Sequence, residues 1–497
     1  MTIPTLLWLI ALPLVASPFV YLAGHLGGAR RVSWARWAAL LVLLAAWVPF
    51  GLAVQEFRLA GPLTTSVEAV VLRLDGLSLL LAGVALALGT LVVLFSGPYL
   101  AGETGQDKYY AMLVAMVGAM IGLGCAGDLF NLWVWFEAMA VSSYLLVAFY
   151  RDQPASLEAG VKYLVQSATG SVLVLLGIAL VLAQTGTLAL AQIRAVAQPS
   201  PGLLAAGALL IMGFGVKAAL VPLHTWLPDA HAQAPSGISA MLSGIVIEAG
   251  LIASLRALSA LAALALWWGV LLLAFGALNM LVGNLMALRQ TQVKRLLAYS
   301  SVAQVGYMLL GLGITIYAGE AAGAEGGLFH LLNHGLMKGL AFLAAGALLY
   351  ALHIAVGKHG PLTVADLNGA ARRYPLAAFA LSVAVLGLGG LPPLAGFMSK
   401  WQILVAGAAT HNLWLDALVV FAALNSVLSL AYYAPLVNAV YRQVPSVAVQ
   451  RGRPLPASIR LPLAVLVLAV VAIGIWPGLV SWLTGPAGAA ILAAFRG

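Results

Sequence analysis

Five side chains that carry formal charge lie within long apolar runs of this sequence: Glu137, Lys217, Glu248, Lys338 and Lys400. His330 and His334 join them, and their i, i+4 spacing with Lys338 four residues further on draws one polar stripe along a helix. In hydrocarbon an isolated carboxylate or ammonium group is driven towards its neutral form, whereas the two side by side can stay charged. Making and separating such a pair therefore takes up and releases protons, and neutral imidazole, which donates and accepts at once, suits the steps between. The bland alternatives are a static ion pair that fixes helix packing and histidines that only satisfy the core. Zinc on His330 and His334 lacks a nearby carboxylate or cysteine to complete a ligand set, so no metal site is expected.

The elements that must hold these groups follow from composition. The 497 residues are 63% hydrophobic and 8% charged, too little polar material to cover a water-soluble globule of this size, so lipid is the expected solvent. A spanning helix needs about 20 apolar residues. Taken between breakers, the runs give fourteen spans, near 4–26, 37–54, 76–98, 109–126, 129–150, 157–183, 202–222, 236–258, 260–288, 293–317, 326–352, 375–408, 413–440 and 460–477. The first span has no Lys or Arg before it and reads as a retained helix. Sixteen of the 24 basic residues, from Arg30 and Arg31 through Lys358 to Arg460, fall at odd-numbered loops, against five at even-numbered loops and the termini. The positive-inside bias then puts both termini on the outer face, and it accounts for the net charge of +9 without a nucleic-acid partner. Five ionisable residues inside spans, each costing roughly 2.5–3.5 kcal/mol on insertion scales, are a functional signal. Cys125 is the only cysteine, which excludes an internal disulfide and a cysteine-ligated cluster within this chain.

A weak internal repeat underlies the pattern. Glu158-Ala-Gly-Val-Lys-Tyr-Leu-Val-Gln-Ser resembles Glu325-Gly-Gly-Leu-Phe-His-Leu-Leu-Asn-His at an offset of 167 residues. The same offset carries Glu137 onto Gln304 and Pro222 onto Gly389, at the start of the break Gly389-Gly390-Leu391-Pro392-Pro393. Five spans separate the copies, and an odd number inverts one relative to the other. Span 7 ends at Pro222 and span 12 breaks near Pro393, each beside a buried lysine. Freed backbone carbonyls at such breaks need water, ions or polar side chains, which places them along a hydrated path. His224, Asp229 and His231, just after the first break, are candidates for the mouth of that path.

Four motifs carry a family resemblance: Gly127-Asp-Leu-Phe-Asn-Leu-Trp-Val-Trp-Phe-Glu137, Lys217-Ala-Ala-Leu-Val-Pro-Leu-His-Thr-Trp-Leu-Pro-Asp-Ala-His231, Val293-Lys-Arg-Leu-Leu-Ala-Tyr-Ser-Ser-Val-Ala-Gln-Val-Gly-Tyr307 and Leu391-Pro-Pro-Leu-Ala-Gly-Phe-Met-Ser-Lys400. Over nearly its whole length the chain resembles the antiporter-like subunits of respiratory complex I, of Mrp-type cation/proton antiporters and of membrane-bound hydrogenases. The resemblance implies an all-α polytopic membrane protein with two inverted five-helix units. The expected division is residues 1–108 for spans 1–3, 109–258 and 259–440 for the repeats with spans 7 and 12 broken, and 441–497 for span 14 and a tail. It implies Glu137 and Lys217 as an interacting pair, Lys400 as the terminal lysine, and His330, His334 and Lys338 as the polar positions between. In Leu242-Ser-Gly-Ile-Val-Ile-Glu248 the chain departs from the family, since many relatives carry Lys or His where Glu248 stands. Ending soon after span 14, it looks like a middle complex I subunit.

The expected function is proton translocation in a larger redox-driven complex, by a subunit with no cofactor or redox centre of its own. Homologous membrane subunits, and peripheral redox subunits, would be its partners in an energy-transducing bacterial or archaeal membrane. An Mrp-type sodium/proton antiporter subunit is the alternative from another class, and an independent small-solute transporter a third. Glu248 is expected to be the proton-carrying link between the two halves, doing with an acid what relatives do with Lys or His; Lys217, on the preceding span, is the nearest candidate in sequence to hold it ionised, and the competing reading makes Glu248 a second counter-charge to Lys217 or a cation ligand.

Overall fold

A computed structural model describes residues 5–26, 34–68, 70–357 and 360–496. Pro4, Arg30, Arg31 and Lys358, used above for the first span and the charge count, lie outside the described residues. The chain opens with α1 (Thr5–Leu26) and α2 (Trp34–Ala60). An antiparallel hairpin of β1 (Leu63–Val67) and β2 (Val70–Leu74) follows, and then α3 (Gly76–Tyr99). The hairpin is absent from the sequence reading because its ten paired residues are too few to register against the apolar runs on either side.

Next come α4 (Gln106–Gly124), α5 (Leu129–Val147), α6 (Pro154–Thr185) and the short α7 (Leu190–Val196). The expected span 7, 202–222, breaks before its end: α8 (Pro201–Lys217) stops short of Pro222, and a separate short helix, α9 (Trp226–Gln233), follows beyond the expected limit. The helix after them, α10 (Ser236–Met241), continues through a π-helical turn at Leu242–Val246 into α11 (Ile247–Ala260). The second half holds α12 (Ala265–Leu288), α13 (Val293–Ala318) and α14 (Ala321–Leu352). The expected span 12 is likewise divided, into α15 (Pro375–Gly389) and α16 (Ala395–Ala408), with Gly390 at φ +81° ending the first piece. Then follow α17 (Leu413–Tyr441), the short α18 (Val447–Arg451), α19 (Ala457–Ile475) and α20 (Gly478–Arg496).

By length and composition, twelve helices among the described residues are able to cross a membrane, or thirteen if the bent pair ending in α15 is one span. The loops sort onto two faces. One cavity collects Glu103, Gln153, Ala234, Gln292 and Gly360, from the loops after α3, α5, α9, α12 and α14. Backbone bonds from Gly369 to Ala439 and from Ser446 to Asn368 add the loops flanking α15 and α17 to that face. On the opposite face, Gly127 bonds Val71, Asp128 bridges Ala189, and Arg256 reaches Asp75 and the Gly124 carbonyl.

The residues after Pro477, expected to be a tail, form α20. Its buried stripe of Leu483, Ala487, Ile491 and Phe495 repeats every four residues, so it lies along a surface. Both its ends touch loops of one face: the Arg58 guanidinium stacks 4.3 Å over Trp482, Arg194 donates to the Ala493 carbonyl at 2.7 Å, and Arg496 donates to Gly319.

Burial separates the centre of the bundle from its lipid-facing helices. The most apolar window of Ser236–Ala260 is fully buried, whereas only 22% of that of α17 is. The centre is tight because glycines cross there. A Cβ on Gly335 would lie 2.6 Å from the Gly244 carbonyl oxygen, so α14 and the π-helical turn touch backbone to backbone. The polar stripe of α14 is thereby pressed against Glu248.

Candidate functional site

Lys217 is the last residue of α8, where the helix stops. Ala219 adopts φ +55° and the chain turns away, leaving backbone groups that Asn279 of α12 takes up. Its Oδ1 accepts from the Val221 amide at 2.9 Å and its Nδ2 donates to the Ala219 carbonyl at 3.1 Å. The Lys217 ammonium, fully buried, donates to the Tyr163 hydroxyl at 2.9 Å and to Ser167 at 3.0 Å, both on α6. Tyr163 stacks on Trp226 at 3.8 Å between ring centres, and its hydroxyl also meets Ser143 of α5 at 2.9 Å. The implied Glu137–Lys217 pair is not closed. Among the described residues Lys217 has no carboxylate oxygen within 4 Å, and Glu137, half-buried on α5, leaves Oε1 without a hydrogen-bond partner. Two hydroxyls of α6 occupy the lysine instead.

Glu248 also corrects an expectation. Its partner is His334 on α14, not Lys217: Nδ1 and Oε1 are 2.7 Å apart, and both side chains are fully buried. The reason is helical phase. Two residues on, Gly250 turns to the opposite side of α11, and a Cβ there would lie 2.7 Å from the Ala218 amide nitrogen and 2.9 Å from the Lys217 Cβ. The side of α11 that meets Lys217 is therefore glycine, and the acid faces α14.

One turn back along α14, the His330 ring centre is 6.4 Å from that of His334. Gln304 of α13 fixes the His330 tautomer: Gln304 Nε2 donates to the Leu388 carbonyl at 3.0 Å, so its Oε1 accepts from His330 Nε2 at the same distance. His330 Nδ1 is then free to accept from the Ser399 hydroxyl at 2.9 Å. Lys400 donates to that same Leu388 carbonyl at 2.7 Å and to Ser426 of α17 at 3.0 Å, and its ammonium lies 4.3 Å from the centre of the Tyr307 ring. The end of α15 supplies the freed carbonyl on which Gln304 and Lys400 converge. Lys338 stands to one side, donating to the Leu297 carbonyl at 2.7 Å and to Ser300.

The three candidates for the mouth divide. Asp229 is clamped by Arg295 at 2.6 Å and Lys162 at 3.1 Å. His224 is buried with Nδ1 unpartnered. His231 is fully buried, stacked 4.5 Å from Phe342, with neither ring nitrogen partnered. Phe342 is one turn beyond Lys338 on α14, so His231 sits between the stripe and the cavity that Lys294 lines.

Residues 126–428, which contain every one of these side chains, match the family model of the NADH:quinone oxidoreductase/Mrp antiporter transmembrane region. The chain belongs to that family. It is 35% identical over 422 residues to F(420)H(2) dehydrogenase subunit N of Methanosarcina mazei, covering 82% of both chains. Identity reaches 40% over 375 residues with NADH-quinone oxidoreductase subunit N of Salinispora tropica, covering 73% of this chain and 71% of that one. The fold matches a chain of the membrane-bound sulfane sulfur reductase, an archaeal respiratory membrane complex, with a TM-score of 0.87 and 30% identity over 99% of both chains. This is an antiporter-like membrane subunit whose homologues belong to complex I-like and hydrogenase-type complexes.

Several members of the site are not singled out by sequence reasoning: Tyr163, Ser167, Asn279, Ser399 and Ser426. Hydroxyls and amides carry no charge penalty in an apolar run and so raise no signal there. The 167-residue offset did give a signal for three residues, since it sets Gln304 opposite Glu137, Tyr163 opposite His330 and Ser167 opposite His334.

Proposed function

We propose that this subunit translocates protons across an energy-transducing membrane as part of a redox-driven complex. The observation that carries the reading is the buried run from Glu248 through His334, His330 and Gln304 to Lys400, whose members sit on four different helices and meet at the bundle centre. Apolar packing gives no reason for such a meeting: Glu248, His334, His330 and Lys400 are titratable, and the Gln304 amide and the Leu388 carbonyl tie the His330 end to Lys400 by hydrogen bonds. Glu137 and Lys217 serve as a pair that closes only transiently, with Tyr163 and Ser167 holding the lysine when it is open. Lys338 tunes the charge beside the run. His231, with His224 and Asp229 nearer the surface, forms the mouth.

The same reading takes the chain as fourteen crossings in two inverted units, with α8 and α9 counted as one broken span, α15 and α16 as a second, α4 as an unbroken span and α20 as no crossing. The face rich in Lys and Arg is then cytoplasmic and both termini are outside. Homologous membrane subunits and peripheral redox subunits are the partners, and the chain holds no cofactor.

Purification of the intact complex from its native membrane, followed by reconstitution into vesicles with a pH-sensitive dye, tests this. Redox-driven acidification with iron–sulfur subunits copurifying is the expected result. Copurification with small membrane subunits alone, and a pH gradient driven only by added sodium, would assign the chain to a cation/proton antiporter instead.

A further inference from the structure

Around the first turns of α15 and α19, on the face rich in basic residues, two adjoining cavities share Arg373 and Pro454. One, of about 440 Å³, is lined by Arg373, Tyr374, Leu376, Leu455 and Arg460. The other, of about 450 Å³, adds Arg451 and Arg453. All four arginines are exposed, and among the described residues no carboxylate lines either cavity or lies within 4 Å of them. Arg373 is braced by the Gln450 and Val449 carbonyls, which accept from its Nη1 at 2.5 and 3.3 Å, so its other guanidinium nitrogens point along a fixed direction.

Tyr374 is a separate observation. It is only 3% exposed, it lines the more apolar of the two cavities, and its hydroxyl has no hydrogen-bond partner. Gly452 leaves room for that hydroxyl, since a Cβ there would stand 2.2 Å from it. A buried hydroxyl without a partner is costly unless a ligand supplies one.

We propose that this cleft binds the phosphate of an anionic phospholipid, with Arg373, Arg460 and the Tyr374 hydroxyl as its ligands. Charge complementarity selects an anion, and the level in the membrane selects a lipid. Arg373 precedes Pro375, the first residue of α15, Arg460 lies in the first turn of α19, and the apolar wall of Leu376, Ala377 and Leu455 descends from them as an acyl chain would. Basic pockets between helices at this face have the chemistry for such headgroups.

The test uses the whole complex, purified in detergent and offered phosphatidylglycerol or phosphatidylcholine with identical acyl chains, with retained lipid measured by mass spectrometry after washing. The wild-type complex should keep phosphatidylglycerol and lose phosphatidylcholine. Arg373→Gln with Arg460→Gln should weaken retention by about thirtyfold, from two lost cationic contacts. Tyr374→Phe, which leaves the fold's apolar contacts intact, should weaken it several-fold and decides the matter if the double variant does not assemble. Equal retention by wild type and Tyr374→Phe together with the double variant would overturn the proposal. So would displacement of the lipid by inorganic phosphate at matching concentration, or occupation of the cleft by an acidic segment of a copurifying protein.

Discussion

The Nδ1 atom of His334 and the Oε1 atom of Glu248 are 2.7 Å apart in a part of the bundle where neither side chain is exposed at all. Glu248 Oε2 and His334 Nε2 have no partner, so the pair has one donor or acceptor to spare on each side. That arrangement suits a relay: a proton can arrive at one spare atom and leave at the other. Glu248→Gln keeps the shape and an oxygen for His334 but cannot titrate. Translocation by the reconstituted complex should fall by about tenfold or more with assembly unchanged. Normal pumping by this variant would reduce Glu248 to a packing role, and a selective loss of sodium dependence would make it a cation ligand. Glu248→Lys, which restores the residue type of many relatives, should fail as well, because it sets an ammonium against His334.

The same contact depends on helix proximity. A Cβ on Gly335 would meet the Gly244 carbonyl at 2.6 Å and Glu248 Oε2 at 3.4 Å. Gly335→Ala must push α14 away from the π-helical turn, and overpacking of this kind costs about 1–3 kcal/mol. A lower midpoint of thermal unfolding in detergent, together with reduced translocation, is expected. Unchanged values of both would mean that the two backbones are not in contact.

How much of this was legible in the sequence depended on charge. Glu137, Lys217, Glu248, His330, His334, Lys338 and Lys400 announced themselves because each is expensive in an apolar run, and Pro222 and Pro393 marked the breaks because proline removes a backbone donor. What the sequence could not supply was which side of each helix met which neighbour. Adjacency of spans made Lys217 the nearest candidate to hold Glu248 ionised, yet the two-residue phase difference between Glu248 and Gly250 decides the partner, and that phase has meaning only once α14 is known to lie opposite. The end of the chain misled for a related reason. Residues after Pro477 were read as a tail, whereas Gly478–Arg496 is a helix, and the contacts with Arg58, Arg194 and Gly319 that hold its two ends at one face join residues far apart in the chain.

A second buried charge pair is structural. Arg256 reaches Asp75 through two nitrogens at 2.8 and 2.9 Å and also donates to the Gly124 carbonyl, pinning α11 to the cap of α3. Burial pushes the Asp75 carboxyl up, but the Arg256 charge and hydrogen bonds, with Arg73 and Ser78, more than offset it and hold Asp75 below the ordinary value of 3.8. A depressed carboxylate contributes stability that is present above its unfolded value and lost as pH falls through the folded one. Arg256→Ala leaves Asp75 buried with only the half-exposed Arg73, 3.0 Å away, as its cationic partner and should destabilise by about 3 kcal/mol at neutral pH. In unfolding scans the gap between variant and wild type should narrow below pH 3.8, where Asp75 begins to be protonated. A gap independent of pH would show that lost packing, not the charge pair, is responsible.

Lys217 is predicted to act through exchange of partners. With Tyr163 and Ser167 holding its ammonium at 2.9 and 3.0 Å, closing the pair with Glu137 requires those bonds to break. Lys217→Ala and Glu137→Ala should each abolish or strongly reduce translocation while the complex still assembles. Tyr163→Phe keeps the ring stacked on Trp226 but removes one hydrogen bond, so it should lower the rate several-fold without abolishing it. Near-normal pumping by Lys217→Ala or Glu137→Ala would leave the pair with a packing role only.

Lys400 separates relay from fixed charge most cleanly. Its ammonium has two acceptors, the Leu388 carbonyl at 2.7 Å and the Ser426 hydroxyl at 3.0 Å, with the Tyr307 ring 4.3 Å away, and none of the three is an anion. A lysine held this way loses its proton without breaking an ion pair, and it shares the Leu388 carbonyl with Gln304, the neighbour of His330. Lys400→Ala should block translocation, since the end of the run then has no titrating group. Lys400→Arg preserves the charge but stays protonated at every accessible pH, so it should fail to rescue. Arginine is also bulkier, and the site is close-packed, since even a Cβ added to Gly390 would stand 3.3 Å from the lysine Cδ, so assembly of the Arg variant must be checked first. Lys400→Gln, smaller and uncharged, controls for that: loss of pumping in all three variants, with assembly intact in the Gln form, is the expected pattern. Full activity in the Arg variant would mean that Lys400 supplies a standing positive charge to the His330 end of the run and passes no proton itself.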